Sequence, residues 1–245
     1  MGLGKFYGIG VGPGESDLLT IKGKKIINAV DVVFAPQARL TTYSMAASIV
    51  KPHMDDPKKI VLLEYPMTRE TPILREFWNR AAHQILEPLN QGKNVAYLTL
   101  GDPFTFSTYY YTMRLMKELL PGLDVTTIPG ISSFSAMASF LNMCLVEGKQ
   151  KLAVVPVEED VEPLRPVLND FDCVVMLKVG KKLGKVLRLL KDVDLLKYGV
   201  MASYIGTPKE RIVLDLTALT EEESGYMTTI IVKKPSEGEG DLSET

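Results

Sequence analysis

Over roughly the first half of this 245-residue chain, short apolar runs alternate with stretches of helical period, and glycine or proline punctuates the breaks. Residues 5–11, 30–35, 60–64 and 95–100 have strand character, the second stopped by Pro36 and the fourth by Gly101-Asp102-Pro103. Between them the spacing predicts helices over 21–29, capped by the Thr20 hydroxyl, over 75–90 with Phe77, Ala81, Ile85 and Leu89 on one stripe, and over 108–120, closed by Pro121-Gly122. Strand, helix, strand in succession forces the chain back across a sheet, so the expected N-terminal layer is a largely parallel sheet wrapped by helices. After Pro129-Gly130 the alternation is less regular: helices are expected over 132–143 and 183–190, strands over 151–157, 172–179, 200–204, 211–214 and 228–232. That reads as a second α/β domain with a mixed sheet. The expected boundaries are 1–127 and 128–234, followed by a tail, 235–245, whose Glu237, Glu239, Asp241 and Glu244 sit among glycine and serine and imply disorder.

Composition excludes several classes. With 46% hydrophobic and 24% charged residues the chain can bury a core, and a net charge of −2 gives no reason to expect nucleic acid as a partner. Two cysteines and two histidines, none paired at metal-ligand spacing, argue against a metal site or disulfide framework and fit a reducing cytoplasm. The opening MGLGKFYGIGVG lacks the apolar core of a signal peptide, and Phe6 stands where a myristoylation motif needs Ser or Thr. Residues 125–146 carry no charge and are long enough to cross a bilayer, but Pro129, Gly130, four serines and Asn142 mark them as a buried helix entered through a Pro-Gly turn, and no membrane association is expected.

Three short motifs stand where strands end. Gly8-Ile9-Gly10-Val11-Gly12-Pro13-Gly14-Glu15 fails the dinucleotide fingerprint in both registers, because the third glycine position is Pro13 or Glu15, and no phosphate-loop lysine motif exists. What remains is a glycine-lined strand end that is either a tight turn or a close backbone approach to a ligand. In Leu100-Gly101-Asp102-Pro103 a carboxylate follows a strand at the edge where open α/β sheets bind ligands, although Asp102 could equally cap the helix that follows. Pro129-Gly130-Ile131-Ser132-Ser133 opens a helix with small residues, which either close-pack or leave room for a ligand.

The three motifs in this order and spacing resemble the tetrapyrrole methylase family, and the likeness continues through Val175-Met176-Leu177-Lys178, residues 203–211 and residues 228–232. Within the family the chain is most similar to the C-20 methyltransferases that act on precorrin-2 or cobalt-factor II, on the strength of Glu64-Tyr65-Pro66-Met67-Thr68, Phe77-Trp78 with Ala81-Ala82, and Ser107-Thr108-Tyr109. The resemblance implies two α/β domains with S-adenosylmethionine folded between them, a homodimer, a tetrapyrrole substrate of cobalamin biosynthesis and S-adenosylhomocysteine as product. It implies that Pro13 lies in the first cofactor loop, that Leu100, Gly101, Asp102 and Thr105 line the methionine end, that Ser132 and Ser133 touch polar groups, and that Leu177, Tyr204 and Thr229 surround the adenosine. The family often has Met-Gly where this chain has Leu177-Lys178.

Methyl transfer from a sulfonium to an electron-rich meso carbon needs alignment more than a side-chain nucleophile, and no Ser-His-Asp or Cys-His set is evident. Asp102 or solvent is the candidate base for the C-20 proton, and Arg39, Arg69, Arg75 and Arg80 are candidates to hold the substrate's carboxylates. Other readings are a diphthine synthase or ribosomal RNA 2′-O-methyltransferase of the same family, and a non-catalytic nucleotide-sensing module.

Overall fold

The computed structural model describes residues 2–38, 43–65, 71–220 and 227–235, with the side chains at 38 and 71–74 left aside. The chain divides into two compact units, Met1–Ser132 and Ser133–Thr245, each an α/β layer structure with its own five-stranded sheet.

In the first unit the strands are β1 (Phe6–Gly10), β2 (Val32–Ala38), β3 (Ile60–Tyr65), β4 (Val95–Thr99) and β5 (Val125–Ile128), all parallel, in the order β3-β2-β4-β1-β5. The helices are α1 (Ile21–Ala29), α2 (Met45–Val50), α3 (Thr71–Asn90) and α4 (Tyr109–Leu119). Alternation along β1 sorts its side chains: Tyr7, Ile9 and Val11 pack with α1 and α2 on one face, and Phe6 joins α3 and α4 on the other. Thr20 caps α1 as expected, its Oγ1 accepting the Gly23 N–H at 3.0 Å.

The strand order fixes where a ligand can enter. Adjacent strands β1 and β4 send their chains in opposite directions, β1 towards β2 and β4 towards β5, with α1 and α4 on opposite faces. That reversal opens a crevice beyond the carboxyl ends of β1 and β4, the topological switch point of an open α/β sheet.

Two expectations are corrected here. Pro36 does not stop its strand: β2 pairs with β4 only as far as Phe34, so beyond it β2 is hydrogen-bonded on one side alone and the missing N–H is tolerated. The uncharged stretch 125–146 reads as a buried helix entered through the Pro-Gly turn; the helix does start there, but only Ala136 and Met137 of it are buried, and a strand absent from that reading precedes the turn. The first four residues of the stretch form β5 beside β1, and the helix α5 (Ser133–Phe140) begins only after the Pro-Gly turn. No helix among the described residues is long and apolar enough to cross a membrane.

The second unit holds β6 (Leu152–Pro156), β7 (Cys173–Leu177), β8 (Gly199–Ser203), β9 (Arg211–Val213) and β10 (Thr228–Lys233), in the order β6-β7-β10-β8-β9, with α5, α6 (Leu164–Asp170) and α7 (Leu183–Asp192). Only β6 and β7 are parallel; β10 runs antiparallel between β7 and β8, giving the mixed sheet expected from the sequence. Leu183, Val186, Leu187, Leu189 and Leu190 of α7 bury one stripe in the core with β7 and β10. The tail beyond residue 235 lies outside the described residues.

Candidate functional site

The loops that leave β1, β4 and β5 meet because those strands are neighbours, and glycine lets their backbones touch. Gly12 (φ +83°) and Gly101 (φ +68°) form an isolated antiparallel bridge, in which the Gly101 N–H donates to Gly12 O at 2.8 Å and the Gly12 N–H to Gly101 O at 3.4 Å. A Cβ on Gly130 would lie 2.1 Å from Gly101 O and 2.7 Å from Gly10 C, and one on Gly10 would lie 2.6 Å from Gly130 N. A Cβ on Gly101, by contrast, would meet nothing nearer than Ile131 O at 3.9 Å. Gly10 and Gly130 are therefore packed shut, whereas Gly101 faces open space at the switch point.

Asp102 ties this junction together. Its Oδ1 accepts the Phe104 N–H at 2.9 Å and the Thr105 hydroxyl at 3.3 Å, and its Oδ2 accepts the Gly130 N–H at 3.2 Å. It does not cap the next helix: Thr108 stands at the α4 N-cap and its side chain caps no helix N–H, and Ser107 Oγ accepts the Tyr109 N–H at 3.0 Å. Ser107 is in turn bonded to Thr99 Oγ1 at 2.6 Å, and the buried Tyr109 ring lies where a Gly8 side chain would be, with its hydroxyl 2.6 Å from Thr127 Oγ1. Burial pushes the Tyr109 hydroxyl above its ordinary pKa, more than the Thr127 bond lowers it. Pro13 is buried and Leu100 half-buried against the core shared by α1 and α2.

The second unit gathers its predicted residues at one end of its sheet. Because β10 is antiparallel to β7 and β8, its first residues adjoin the carboxyl ends of both: Thr229 pairs with Ala202, and Ile230 with Met176, one residue before Leu177. The Ser133 hydroxyl, at the start of α5, lies 3.0 Å from Thr229 Oγ1. Three non-glycine residues at this end have left-handed backbones: Lys178 (φ +57°), Tyr204 (φ +51°) and Met227 (φ +52°), and the Tyr204 N–H donates to Met227 O at 3.1 Å. Such strain clusters at functional sites. It also gives a physical reason why glycine suits the position of Lys178.

The arginines stand apart from these loops in the chain. Arg75 and Arg80 lie on the exposed face of α3, and Arg80 is engaged by its own helix, 3.3 Å from Glu76 Oε1 and 4.4 Å above the Phe77 ring. Arg39 and Arg69 lie outside the described residues. No group of three or more His, Cys, Asp and Glu side chains among the described residues could hold a metal ion. A hollow of about 460 Å³ in the second unit, lined by residues that include Arg188, Lys191, Asp194 and Lys197, contains none of the predicted site residues.

Sequence reasoning missed Gly130 as the residue that seals the junction, the Thr99–Ser107 and Tyr109–Thr127 hydroxyl pairs, and the Ser133–Thr229 pair. Only the spacing of small residues at strand ends hinted at the first; the hydroxyl pairs join residues from different elements and leave no local signal.

The family model of the tetrapyrrole (corrin/porphyrin) methylases matches residues 5–220. This chain belongs to that family. Its relatives include a protein named probable cobalt-precorrin-2 C(20)-methyltransferase from Methanocaldococcus jannaschii, 32% identical over 94% of this chain and 96% of the relative. A cobalt-precorrin-2 C(20)-methyltransferase from Salmonella typhimurium is 28% identical over 94% and 97%, and a precorrin-2 C(20)-methyltransferase from a Sinorhizobium species 30% identical over 95% and 96%. The fold is shared with a solved cobalt precorrin-4 methyltransferase, at a TM-score of 0.72, 19% identity and 94% of both chains. It is also shared with a uroporphyrin-III C-methyltransferase from Thermus thermophilus solved with S-adenosylhomocysteine, at a TM-score of 0.65, 22% identity, 94% of this chain and 97% of the other. At these identities the solved structures speak for the fold alone.

Proposed function

We propose that this methylase transfers the methyl group of S-adenosylmethionine to C-20 of precorrin-2 or of cobalt-factor II in cobalamin biosynthesis. The observation that carries the reading is end-to-end similarity, at up to 32% identity, to proteins named for that reaction. The first unit supplies a fitting cradle. At the switch point the backbone approaches without side chains, and the Cβ direction of Gly101 is open. S-adenosylmethionine, when bound, supplies a methyl group on a positively charged sulfur, a leaving group that needs no further activation.

Residues of this chain bind and orient. Gly101 keeps the cradle clear, and Asp102 holds the β4 and β5 loops at a fixed separation through its bonds to Phe104, Thr105 and Gly130. We assign Pro13 to the first cofactor loop, Leu100, Gly101, Asp102 and Thr105 to the methionine end of the cofactor, Ser132 and Ser133 to its polar groups, and Leu177, Tyr204 and Thr229 to its adenosine. Alignment of two bound reactants is worth about 7–11 kcal/mol of barrier, enough to carry a displacement whose leaving group is already activated. Asp102 or solvent takes the C-20 proton. Arg39, Arg69, Arg75 and Arg80 are the proposed partners of the substrate's carboxylates, and we place the enzyme in the cytoplasm as a homodimer.

The cofactor assignment is tested by melting. A ligand that binds only the native state stabilises it by about 2.7 kcal/mol at a hundredfold excess over its Kd. Saturating S-adenosylhomocysteine is expected to raise the Tm, and an unchanged Tm in folded protein contradicts the assignment.

A further inference from the structure

Four large aromatic side chains in a run of eight residues face solvent directly after the Asp102 loop: Phe104 is 59% exposed, Phe106 42%, Tyr110 45% and Tyr111 48%. Exposed apolar surface of this density marks a binding face rather than ordinary surface. The first turn of α4 explains part of it. Tyr109 turns inward against Gly8, which leaves Tyr110 and Tyr111 facing outward. Tyr111 then stacks on Trp78 of α3, with ring centroids 5.0 Å apart and planes 7° from parallel, and Tyr110 meets Tyr111 edge-on at 5.9 Å. Two helices thus present a cluster of aromatic rings beside the switch point of the first unit.

We infer that the stacked pair Tyr111–Trp78, with Tyr110 at its edge, is the platform on which the tetrapyrrole macrocycle rests. The inference depends on the function proposed above and names the residues that read its substrate. Three features favour this occupant. The surface is continuous in sequence with the loop that Asp102 holds, only two residues upstream of Phe104. An extended ring system offers faces for stacking, where aromatic pairs gain beyond simple burial. The surroundings suit acidic arms: Arg75 is exposed one turn before Trp78 on the same side of α3, where it can meet a carboxylate.

Trp78 is the chain's single tryptophan, so its indole N–H gives one NMR resonance in protein carrying 15N-tryptophan. The protein is titrated anaerobically with precorrin-2 and, separately, cobalt-factor II. The indole resonance is expected to move with the tetrapyrrole and to stay in place with S-adenosylhomocysteine alone. Tyr111→Leu is expected to raise the KM for the tetrapyrrole about two- to tenfold, the range aromatic contacts allow, with S-adenosylhomocysteine affinity unchanged. Tyr111→Phe, which keeps the ring, restores the KM. Active wild-type enzyme whose indole does not move at saturating tetrapyrrole, together with an unchanged KM in Tyr111→Leu, overturns the platform and leaves the proposed function standing. Conversion of a dimer to monomer by Tyr111→Leu with KM unchanged makes this face a contact between copies and also overturns it. An indole that moves in protein that methylates neither tetrapyrrole leaves the platform and removes the proposed reaction; no binding of either tetrapyrrole removes both.

Discussion

Replacing Gly130 by alanine adds one methyl group where three backbones converge. The new Cβ would sit 2.1 Å from Gly101 O, 2.7 Å from Gly10 C and 2.8 Å from Gly10 Cα, and all three neighbours are main-chain atoms that no rotamer change can remove. Ordinary contact begins near 3.4 Å, so the β4 and β5 loops must separate by more than 1 Å along the tightest vector. The first bonds to suffer are Gly130 N–H to Asp102 Oδ2, already 3.2 Å, and the Gly12–Gly101 bridge. Overpacking of this kind costs about 1–3 kcal/mol, which lowers the Tm by about 4–8 °C for 2 kcal/mol in a chain of this size. A shift of about 1 Å in a positioned reactant costs on the order of a hundredfold in rate. Gly130→Ala should therefore lose far more turnover and S-adenosylhomocysteine affinity than stability. Gly101→Asn is the companion. Asparagine tolerates the left-handed backbone at φ +68°, so the fold should survive while the side chain fills the open cradle and calorimetric titration finds cofactor binding lost. Gly130→Ala with wild-type melting and binding would refute the close-packed junction, and Gly101→Asn with full affinity would refute the location of the cradle.

Asp102→Ala removes an acceptor of three hydrogen bonds; kcat should fall at least tenfold for a stability loss of about 1–3 kcal/mol, and near-normal turnover at reduced Tm would reduce Asp102 to a loop staple. Lys178→Gly relieves a left-handed residue (φ +57°), for a gain of about 0.5–1 kcal/mol after the added freedom of the unfolded chain is subtracted; denaturant melts showing destabilisation would mean that the Lys178 side chain matters more than its backbone. Burial pushes the Cys173 thiol from 9.0 up to about 11. Its folded pKa is raised, so the stability it contributes is complete below pH 9 and is lost as pH rises from 9 towards 11, at about 1.4 kcal/mol per unit. Between pH 9 and 10, before the ordinary tyrosine range, Cys173→Ala should flatten that slope, and an equal slope in both proteins would contradict the assignment.

The first sheet was legible because parallel βαβ units print strong local signals: the Thr20 cap, the Phe77-Ala81-Ile85-Leu89 stripe, and glycine or proline just after β1, β4 and β5. Strand β5 was not, since Val125-Thr126-Thr127-Ile128 is short, edge-placed and continuous with an uncharged run, so only its pairing with β1 defines it. Pro36 misled because a proline's effect depends on which side of the strand is hydrogen-bonded, a tertiary fact. Helices α2 and α6, of six and seven residues, are too short for a periodic pattern to stand out. At the candidate site, the motifs at the ends of β1, β4 and β5 were readable as strand ends that share one sheet edge, whereas the switch point depends on strand order and the Asp102–Gly130 bond joins residues 28 apart in the chain. The exposed aromatic run was visible as letters, but the inward turn of Tyr109 and the pairing of Tyr111 with Trp78 needed the helices in place.

The central claim is the position of one new carbon. The protein is incubated anaerobically with S-adenosylmethionine carrying a 13C-methyl group and with precorrin-2 or cobalt-factor II in parallel, and the products are read by 13C NMR. The account predicts a single new methyl signal at C-20 of one or both macrocycles, with stoichiometric S-adenosylhomocysteine. A methyl at another carbon would move the enzyme elsewhere in its family, and no transfer to either macrocycle by folded, cofactor-binding protein would contradict the proposed function.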